Sequence, residues 1–347
     1  MSKRSKSILK FVFIHKKTLQ LPDITIIIVN FRGWTRLSLC LHSLNVIEDD
    51  RFSREVIIID NHSDDGMITS FQQLYPKFKF IVNSGNNGFA NGCNLGAMNS
   101  LSPFLLFLNP DTVVSGDAIF AMLSELRIRR AFSIVSCRQV KTDGSEERPY
   151  GKYLSPFNLT GWLRALNKIA FWREKELFIQ TDDYIYPDWV SGSVVMMNRE
   201  NFHELGGWDE SFWMYFEDVD LCRRARHANG EIVLLKSVSV EHNHGGSSRI
   251  NKKVTALTKA EVNISRHIYI SKHESGFKAV YMHLFLIVNN LILGFLPAIA
   301  GTVFFFIKSL NTFSQTYFQL LLSYFNVLKK GTWLSKRALN FVKISSQ

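Results

Sequence analysis

The sequence predicts an α/β protein built on a mostly parallel sheet and followed by a basic, apolar helical extension. Two observations predict the sheet. Short apolar runs that read as strands buried on both faces recur through the first third of the chain, with helical spacing between the first two. Nearly every run ends in Asn or Asp, where sheets of this kind bind their ligands. A third observation predicts the extension: from Ala279 to Ile307, about 29 residues pass without Lys, Arg, Asp or Glu, and about 20 apolar residues suffice to cross a bilayer.

The elements follow in order. Ile24 to Asn30 is a β-branched run bounded by Pro22 and Arg32-Gly33, and Thr35 to Val46 carries apolar residues at helical spacing. Val56 to Ile59 repeats the strand and ends in Asp60-Asn61-His62-Ser63. Strand, helix, strand at this spacing is a βαβ unit. Phe78 to Val82 is a third strand, followed by the Gly/Asn-rich stretch Asn83 to Gly96. Such a stretch lets backbone N–H groups approach an anion. It is neither GxGxxG nor GxxxxGK[ST], so a dinucleotide loop and a P-loop are unsupported. Phe104 to Leu108 runs into Asn109-Pro110-Asp111, where a carboxylate at a strand end can ligate a hard cation. A helix over Asp117 to Arg129 and a strand near Phe132 to Val135 follow. Thr142 to Asp188 lacks a clear period and reads as a mobile insertion, and Trp189 to Met197 reads as one strand with Gly192 open to a ligand.

The stretch Gly206-Gly207-Trp208-Asp209 to Leu221 delivers Glu217, Asp218 and Asp220 directly behind Trp213-Met214-Tyr215-Phe216. Acids suit the first turn of a helix and the arginines at 223, 224 and 226 suit its later turns. That alone explains a helix start, with Asp220 paired to Arg224. Aromatic walls also desolvate a carboxylate and raise its pKa, which is how a general base is made. Beyond it, Glu231 to Leu235 and Ser237 to Val240 read as two strands. His242 and His244 then stand at i,i+2, a metal or phosphate contact or plain surface.

Charge is unevenly placed on this chain of 347 residues with formal net charge +11. Residues 1–22 hold six basic and no acidic residues, residues 251–347 hold twelve basic against two acidic, and the section between is net acidic. Basic ends beside apolar segments suit an anionic membrane surface rather than nucleic acid. The four cysteines form no CxxC, which argues against a zinc site or a disulfide framework. The division expected is a basic segment 1–21, a catalytic domain 22–250 and a helical membrane-associated region 251–347. Residues 279–307 can span the bilayer, lie in its interface or pack on the domain. No export signal is evident.

Taken together, these residues resemble a family-2 inverting glycosyltransferase of GT-A fold, in the rhamnosyltransferase-like branch that builds bacterial surface polysaccharides such as O-antigen. The carrying motifs come in the family's order: Asn30-Phe31-Arg32, Val56 to Ser63, Asn86 to Gly96, Leu108 to Asp111, Ser191-Gly192-Ser193, Gly206 to Leu221, and His-Gly-Gly-Ser from His244. The family's Asp-x-Asp stands here as Asn109-Pro110-Asp111, leaving one carboxylate. The resemblance implies a nucleotide-sugar donor held by Asn30, Arg32, Asp60, Asn61, Asn86, Gly88, Asn94, Asn109, Asp111 and Gly192, with dTDP-rhamnose the first candidate and UDP-hexoses close behind. It implies Mg²⁺ or Mn²⁺ on Asp111, with His242 or His244. Asp218 would be the base, with Glu217 and Asp220 as second choices, and Trp189, Trp208 and Trp213 would line the acceptor side. A lipid-linked saccharide acceptor implies work at the cytoplasmic face of the bacterial inner membrane, and a homo-oligomer is compatible. The alternatives are a catalytically inactive membrane-attached scaffold and a nucleotidyltransferase of related fold.

Overall fold

The structure, a computed structural model, describes residues 21–170, 178–242 and 251–341. The chain opens with β1 (Ile24–Asn30), α1 (Trp34–Asn45), β2 (Arg54–Asp60), α2 (Met67–Leu74), β3 (Lys79–Val82), α3 (Phe89–Met98) and β4 (Phe104–Leu108). All seven residues of β1 are buried, because helices cover both faces of the sheet at this point. The four strands are parallel in the order β3-β2-β1-β4, and the register sets Asn30 directly opposite Asp60. α3 lies so close to β1 that a Cβ on Gly92 would stand 2.7 Å from the Val29 side chain.

The chain continues through β5 (Thr112–Val113), α4 (Gly116–Ile128), β6 (Phe132–Val140), β7 (Glu146–Glu147), β8 (Tyr150–Gly151) and α5 (Gly161–Ala170). Then come β9 (Ile179–Gln180), β10 (Tyr184–Tyr186), β11 (Trp189–Val190), β12 (Val194–Asn198), α6 (Arg199–Glu204), α7 (Glu217–His227) and β13 (Glu231–His242). The sheet extends from β4 through β12, β6, β13 and β10 to β9. Here β12 is antiparallel to both its neighbours, while β13 runs parallel to β6. The far end of β13 pairs with β5, setting His242 opposite Thr112.

Three sequence expectations change. Trp189 to Met197 is two strands, because β11 leaves the main sheet to pair with β8 and the chain bends through residues 191–193 before β12. The stretches Glu231 to Leu235 and Ser237 to Val240 are one strand with an irregular register between Leu235 and Ser239. The described part of Thr142 to Asp188 is an ordered subdomain. Leu154 and Leu159 are buried in a cluster with Phe212, Val219, Ile264 and Ile268.

The C-terminal region is helical: α8 (Lys252–His273), α9 (Gly276–Ile287), a π-helical turn (Val288–Ile292), α10 (Leu293–Val303) and α11 (Lys308–Lys330). α9, the turn and α10 form one continuous apolar helix, Gly276–Val303, long enough to cross a membrane by length and composition. Its buried positions, Met282, Leu286, Asn290, Gly294, Ala298 and Gly301, recur every three or four residues and form one stripe. Two residues of that stripe meet α11. Asn290 donates to the Tyr324 hydroxyl at 3.0 Å, and Gly294 admits the Tyr317 ring. The opposite face is exposed and apolar.

Candidate active site

The sheet's carboxyl edge positions the donor side. Asp60 ends β2 and is 3 % exposed; its carboxylate accepts the Ser63 N–H and hydroxyl. Arg32, in the left-handed region at φ 51°, donates from its Nε to the Ser63 carbonyl at 3.0 Å and remains exposed at the rim. Asn30 accepts the Gly33 N–H at 3.2 Å through Oδ1, while its buried Nδ2 has no partner among the described residues. Asn61 donates to Asn86 Oδ1 at 3.1 Å and to the Gly88 carbonyl at 3.0 Å. Asn83 bridges Asn61 and Asn91, at 2.7 and 2.8 Å. Asn30, Arg32, Asp60, Asn61, Asn86 and Gly88 therefore lie in one linked group at the carboxyl ends of β1 and β2. An amide donor buried without a partner there is a group that a ligand oxygen would satisfy.

Asn109 and Asp111 follow β4. The β5–β13 pairing brings His242 to Asp111, with Nε2 3.3 Å from Oδ1. His242 Nδ1 lies 2.8 Å from Gln139 Oε1, so Nδ1 carries the proton donated to that oxygen. Gln139 is held in turn by Ser193. The ring thus sets Nε2 beside a carboxylate oxygen, and an imidazole nitrogen next to a carboxylate is a pair that a divalent cation can take as ligands. The donor set of Asp111 and His242, with Gln139 fixing the ring, thus fits a divalent metal. Among the described residues no group of three or more His, Cys, Asp or Glu forms a metal cluster. His244 lies outside the described residues.

The carboxylates sit at the start of α7. Tyr215 and Phe216 both adopt φ 69°, a region that costs energy for aromatic residues and that tertiary packing must hold. The Met214 carbonyl accepts the Ser265 hydroxyl at 2.9 Å, and Phe216 lies against Tyr269, with ring centroids 5.6 Å apart. Asp218 Oδ2 accepts the Gly192 N–H at 3.0 Å and Oδ1 accepts the Val219 N–H at 2.8 Å. Burial raises its pKa, against the opposing pull of those N–H groups. Burial raises Glu217 well above its ordinary value, and the charges of Asp218 and Asp220 add to this. Its Oε2 has no partner among the described residues. Asp220 is engaged on both oxygens, by Arg224 Nε and by His273 Nε2, each at 2.7 Å. That occupation removes Asp220 from the candidate bases and makes it the joint between α7 and α8.

The bend at 191–193 unites these groups. Gly192 donates to Asp218, and the Ser193 carbonyl accepts the Asn109 N–H at 3.0 Å. Asp218 and the Asn109–Asp111 turn thus flank the same two residues.

Other expectations are corrected. Trp208 is 1 % exposed and packs edge-on against Phe107 and Phe89, so it is core and lines no acceptor surface. Asn94 clamps that tryptophan, accepting its N–H at 2.9 Å and donating to its carbonyl at 2.8 Å, and is committed to structure instead of a donor. Trp213 is buried, with its Nε1 on the Asn86 carbonyl at 3.1 Å and Arg337 over its ring. Trp189 remains half-exposed, its Nε1 on the Lys152 carbonyl. Gln139 and His273 carry no local signal in the sequence, and Ser193 stands out there only within Ser191-Gly192-Ser193. Gln139 and His273 act through contacts 103 and 53 residues away, which no local spacing encodes.

Comparison with known proteins follows the same outline. The description "Glycosyl transferase family 2" matches residues 25–181, and "N-terminal domain of galactosyltransferase" matches residues 177–245. The hexosyltransferase Agl10 of low-salt glycan biosynthesis in Haloferax volcanii is 27 % identical over 233 residues, 64 % of this chain and 68 % of that protein. Rhamnosyltransferase WbbL of Escherichia coli is 26 % identical over 57 % of this chain and 75 % of its own. The N-acetylglucosaminyl-diphospho-decaprenol L-rhamnosyltransferase of Mycobacterium tuberculosis is 25 % identical over 73 % and 85 % respectively. Among solved structures, GalNAc-T7, crystallised with UDP, GalNAc and Mn²⁺, superposes with TM-score 0.51 at 16 % identity over 73 % of this chain. This chain spans about half (51 %) of that structure's length, and the likeness shows the GT-A-like fold. The parallel sheet, the ordered motifs and these relatives agree: residues 25–181 carry a family-2 glycosyl transferase domain on a GT-A-like fold, and the chain is similar to rhamnosyltransferases.

Proposed function

We propose that the enzyme moves a sugar, with inversion, from a nucleotide-diphosphate donor to a hydroxyl of a lipid-linked saccharide in envelope polysaccharide synthesis. The observation that carries this reading is Asp218. It is a carboxyl raised by burial, held by the Gly192 N–H, one residue from the Ser193 contact to Asn109. Asp218 takes the proton of the acceptor hydroxyl. The freed oxygen lone pair bonds to the anomeric carbon from the face opposite the leaving group. The bond from that carbon to the phosphate oxygen breaks, and its electron pair departs on the nucleoside diphosphate. Displacement in one step inverts the anomeric centre.

Asn30, Asp60 and the Asn61–Asn86 pair hold the nucleoside. Asp111 and His242 would hold a Mg²⁺ or Mn²⁺, whose other ligands are donor diphosphate and water. The cation supplies neutralisation of the charge that develops on the leaving diphosphate. dTDP-rhamnose is the first donor to try, because relatives bear rhamnosyltransferase names. The lipid-linked acceptor is supported by a relative named for a diphospho-decaprenol substrate. The exposed face of the Gly276–Val303 helix supports attachment at the cytoplasmic side of the membrane, where nucleotide sugars are made.

A thermal-shift screen of nucleotide sugars with Mn²⁺, followed by a transfer assay on the stabilising donor, tests the proposal. One donor should raise the melting temperature, and Asp218→Asn should bind it while losing turnover by about 10²–10⁴. Turnover near wild type in that variant, or no response to any nucleotide sugar, would overturn it.

A further inference from the structure

The apolar helix Gly276–Val303 is stitched to the protein at its middle, by a hydrogen-bond chain whose direction is fixed. An indole N–H can only donate. Trp162 of α5 donates to Asn289 Oδ1 at 2.9 Å, so the Asn289 amide NH₂ faces Asn290 Oδ1, at 3.0 Å. Asn290 in turn presents its NH₂ to the Tyr324 oxygen at 3.0 Å, which leaves the Tyr324 hydroxyl to donate to His267 Nε2 at 2.9 Å. His267 therefore carries its proton on Nδ1 and donates it to His283 Nδ1 at 2.8 Å. The chain passes from α5 through the π-helical turn, α11 and α8 and back to α9. Asn290, Tyr324 and His267 are buried, so lifting the helix off its neighbours would strand their polar groups.

Those neighbours are held by the catalytic domain. α8 reaches Met214 through Ser265 and Asp220 through His273. α11 runs beside α8 in the same direction, with Thr316 on the Ala256 carbonyl at 3.4 Å and Tyr324 on His267. Exposed Lys253 and Lys259 stand three residues to either side of Ala256, so charge lies level with α11. Crossing a bilayer takes about 20 residues of helix. Beyond Asn290 the helix has fewer than that before the chain turns at Phe304. α11 then comes straight back along α10. A Cβ on Gly301 would run into the Leu310 carbonyl, and the Thr302 and Ser314 hydroxyls meet at 2.8 Å. Standing this hairpin upright in a bilayer would draw α8 and its lysines into the hydrocarbon, where charge is expensive.

The hairpin offers its side instead. Between residues 311 and 328 the exposed positions of α11 are Phe313, Phe318, Leu322, Phe325 and Leu328, and exposed lysines stand at both ends of the helix. α5 continues that apolar surface. Trp162 lies against Phe285, with ring centroids 5.6 Å apart, and exposed Leu166 and Ile169 follow Trp162 at i+4 and i+7 on one face of α5. Leu163 of the same helix packs inward against the cluster that holds Val219, the neighbour of Asp218.

We propose that the Gly276–Val303 helix lies flat in the membrane interface without crossing it, and that α5 is a second membrane contact beside it. This rests on the reading above that the enzyme works attached to a membrane. Lipid chains cover the side of the hairpin and the outer face of α5, and the lysines at the ends of α11 meet the headgroups. The subdomain that packs on the start of α7 then rests on the lipid, and the carboxylates there face a saccharide carried at the same surface.

Membrane vesicles of both orientations test the placement. All four native cysteines are buried, so an introduced one reports alone. Lys77→Cys, on the surface of the catalytic domain, and Lys308→Cys, at the turn of the hairpin, are exposed to a membrane-impermeant maleimide. Both should label from the same side. Lys308→Cys labelled only from the side opposite to Lys77→Cys would mean that the hairpin crosses, and labelling from neither side would bury its turn in hydrocarbon; each result would overturn the flat placement. For α5, the full-length protein is bound to phosphatidylcholine vesicles containing phosphatidylglycerol. Leu166→Gln combined with Ile169→Gln should weaken binding by about tenfold or more, as two apolar side chains lose their lipid contact, with melting temperature and nucleotide-sugar binding kept. Unchanged affinity would overturn the α5 contact. Protein that binds no vesicle would overturn both the placement and the attachment it rests on, whereas labelling from the opposite side overturns the placement alone.

Discussion

A base that works near neutral pH needs a pKa above the ordinary carboxylate range, but it must still ionise there. Neighbouring Glu217 and Asp218 divide these needs. Asp218 accepts two backbone N–H groups that favour its charged form, whereas Glu217 is buried with an idle Oε2 and feels the charge of both aspartates. Asp218 is therefore the group that ionises, and Glu217 remains protonated over a wider range of pH. Two measurements follow at this scale. The kcat/KM of transfer should climb as pH rises through the elevated pKa of Asp218; a rate independent of pH from 5 to 8 would count against Asp218 as base. For stability, the Glu217 pKa is higher folded than its unfolded value of about 4.3. Its contribution is then complete below that value and is lost as pH rises through the folded pKa. Glu217→Gln, which cannot ionise, should melt with wild type in acid and above it at pH 8. A variant melting below wild type at pH 8 would show that Glu217 is needed charged.

Among elements, the linkage of the Gly/Asn loop to the aromatic run explains what the sequence could and could not reveal. Buried strands were legible because Ile24 to Val29, Val56 to Ile59 and Phe104 to Leu108 are runs of apolar residues broken only by the β-branched Thr25, and each strand is followed or ended by a polar residue that marks the ligand edge. The break at residues 191–193 falls on Ser191-Gly192-Ser193, an interruption that a single strand with an open glycine also accommodates. What ends β11 is a partner distant in sequence, β8, with Trp189 opposite Gly151 and Val190 opposite Tyr150. Asn94 and Trp208 carried polar and aromatic labels suited to binding, yet they serve each other across the fold. Gly88 was legible as a turn, but its reason is tertiary. It sits at φ +93° and a Cβ there would run into the Trp213 carbonyl. Gly66 has φ +73° and open space around it, so it serves as the comparison. Gly66→Ala should lose about 1 kcal/mol by backbone strain alone, and Gly88→Ala should lose more, together with donor affinity, by denaturant midpoint and calorimetry. Equal losses at the two sites would mean that the contact with the Trp213 carbonyl relaxes freely.

At the scale of the whole molecule, the C-terminal helices are tied into the catalytic domain while leaving an apolar face uncovered. Arg223 of α7 reaches the Tyr269 hydroxyl and Glu274 at 2.9 Å each, and His273 holds Asp220. The chain after α11 returns: Ser335 and Arg337 both bond the buried Glu261 at 3.0 Å, and Asn340 donates to Ser211. Removing everything after residue 275 would strip Glu261 of those partners and bare the side of α8 that packs on α11, so such a truncation would damage the domain it was meant to isolate. Substitution on the uncovered face is the cleaner test. Phe277, Leu296, Phe305 and Phe306 are 85, 73, 65 and 69 % exposed, and no buried stripe residue is among them. Contiguous exposed apolar surface of this kind marks a partner, and lysines at 308, 329 and 330 stand at the ends of α11, where anionic headgroups would meet them. The full chain should sediment with membranes. Replacing those four residues by Ser or Gln should release it to the soluble fraction with nucleotide-sugar binding and melting temperature kept. Wild-type protein recovered wholly in the soluble fraction without detergent would leave the apolar face for a protein partner, and a quadruple variant that still sediments would place the attachment elsewhere on the chain.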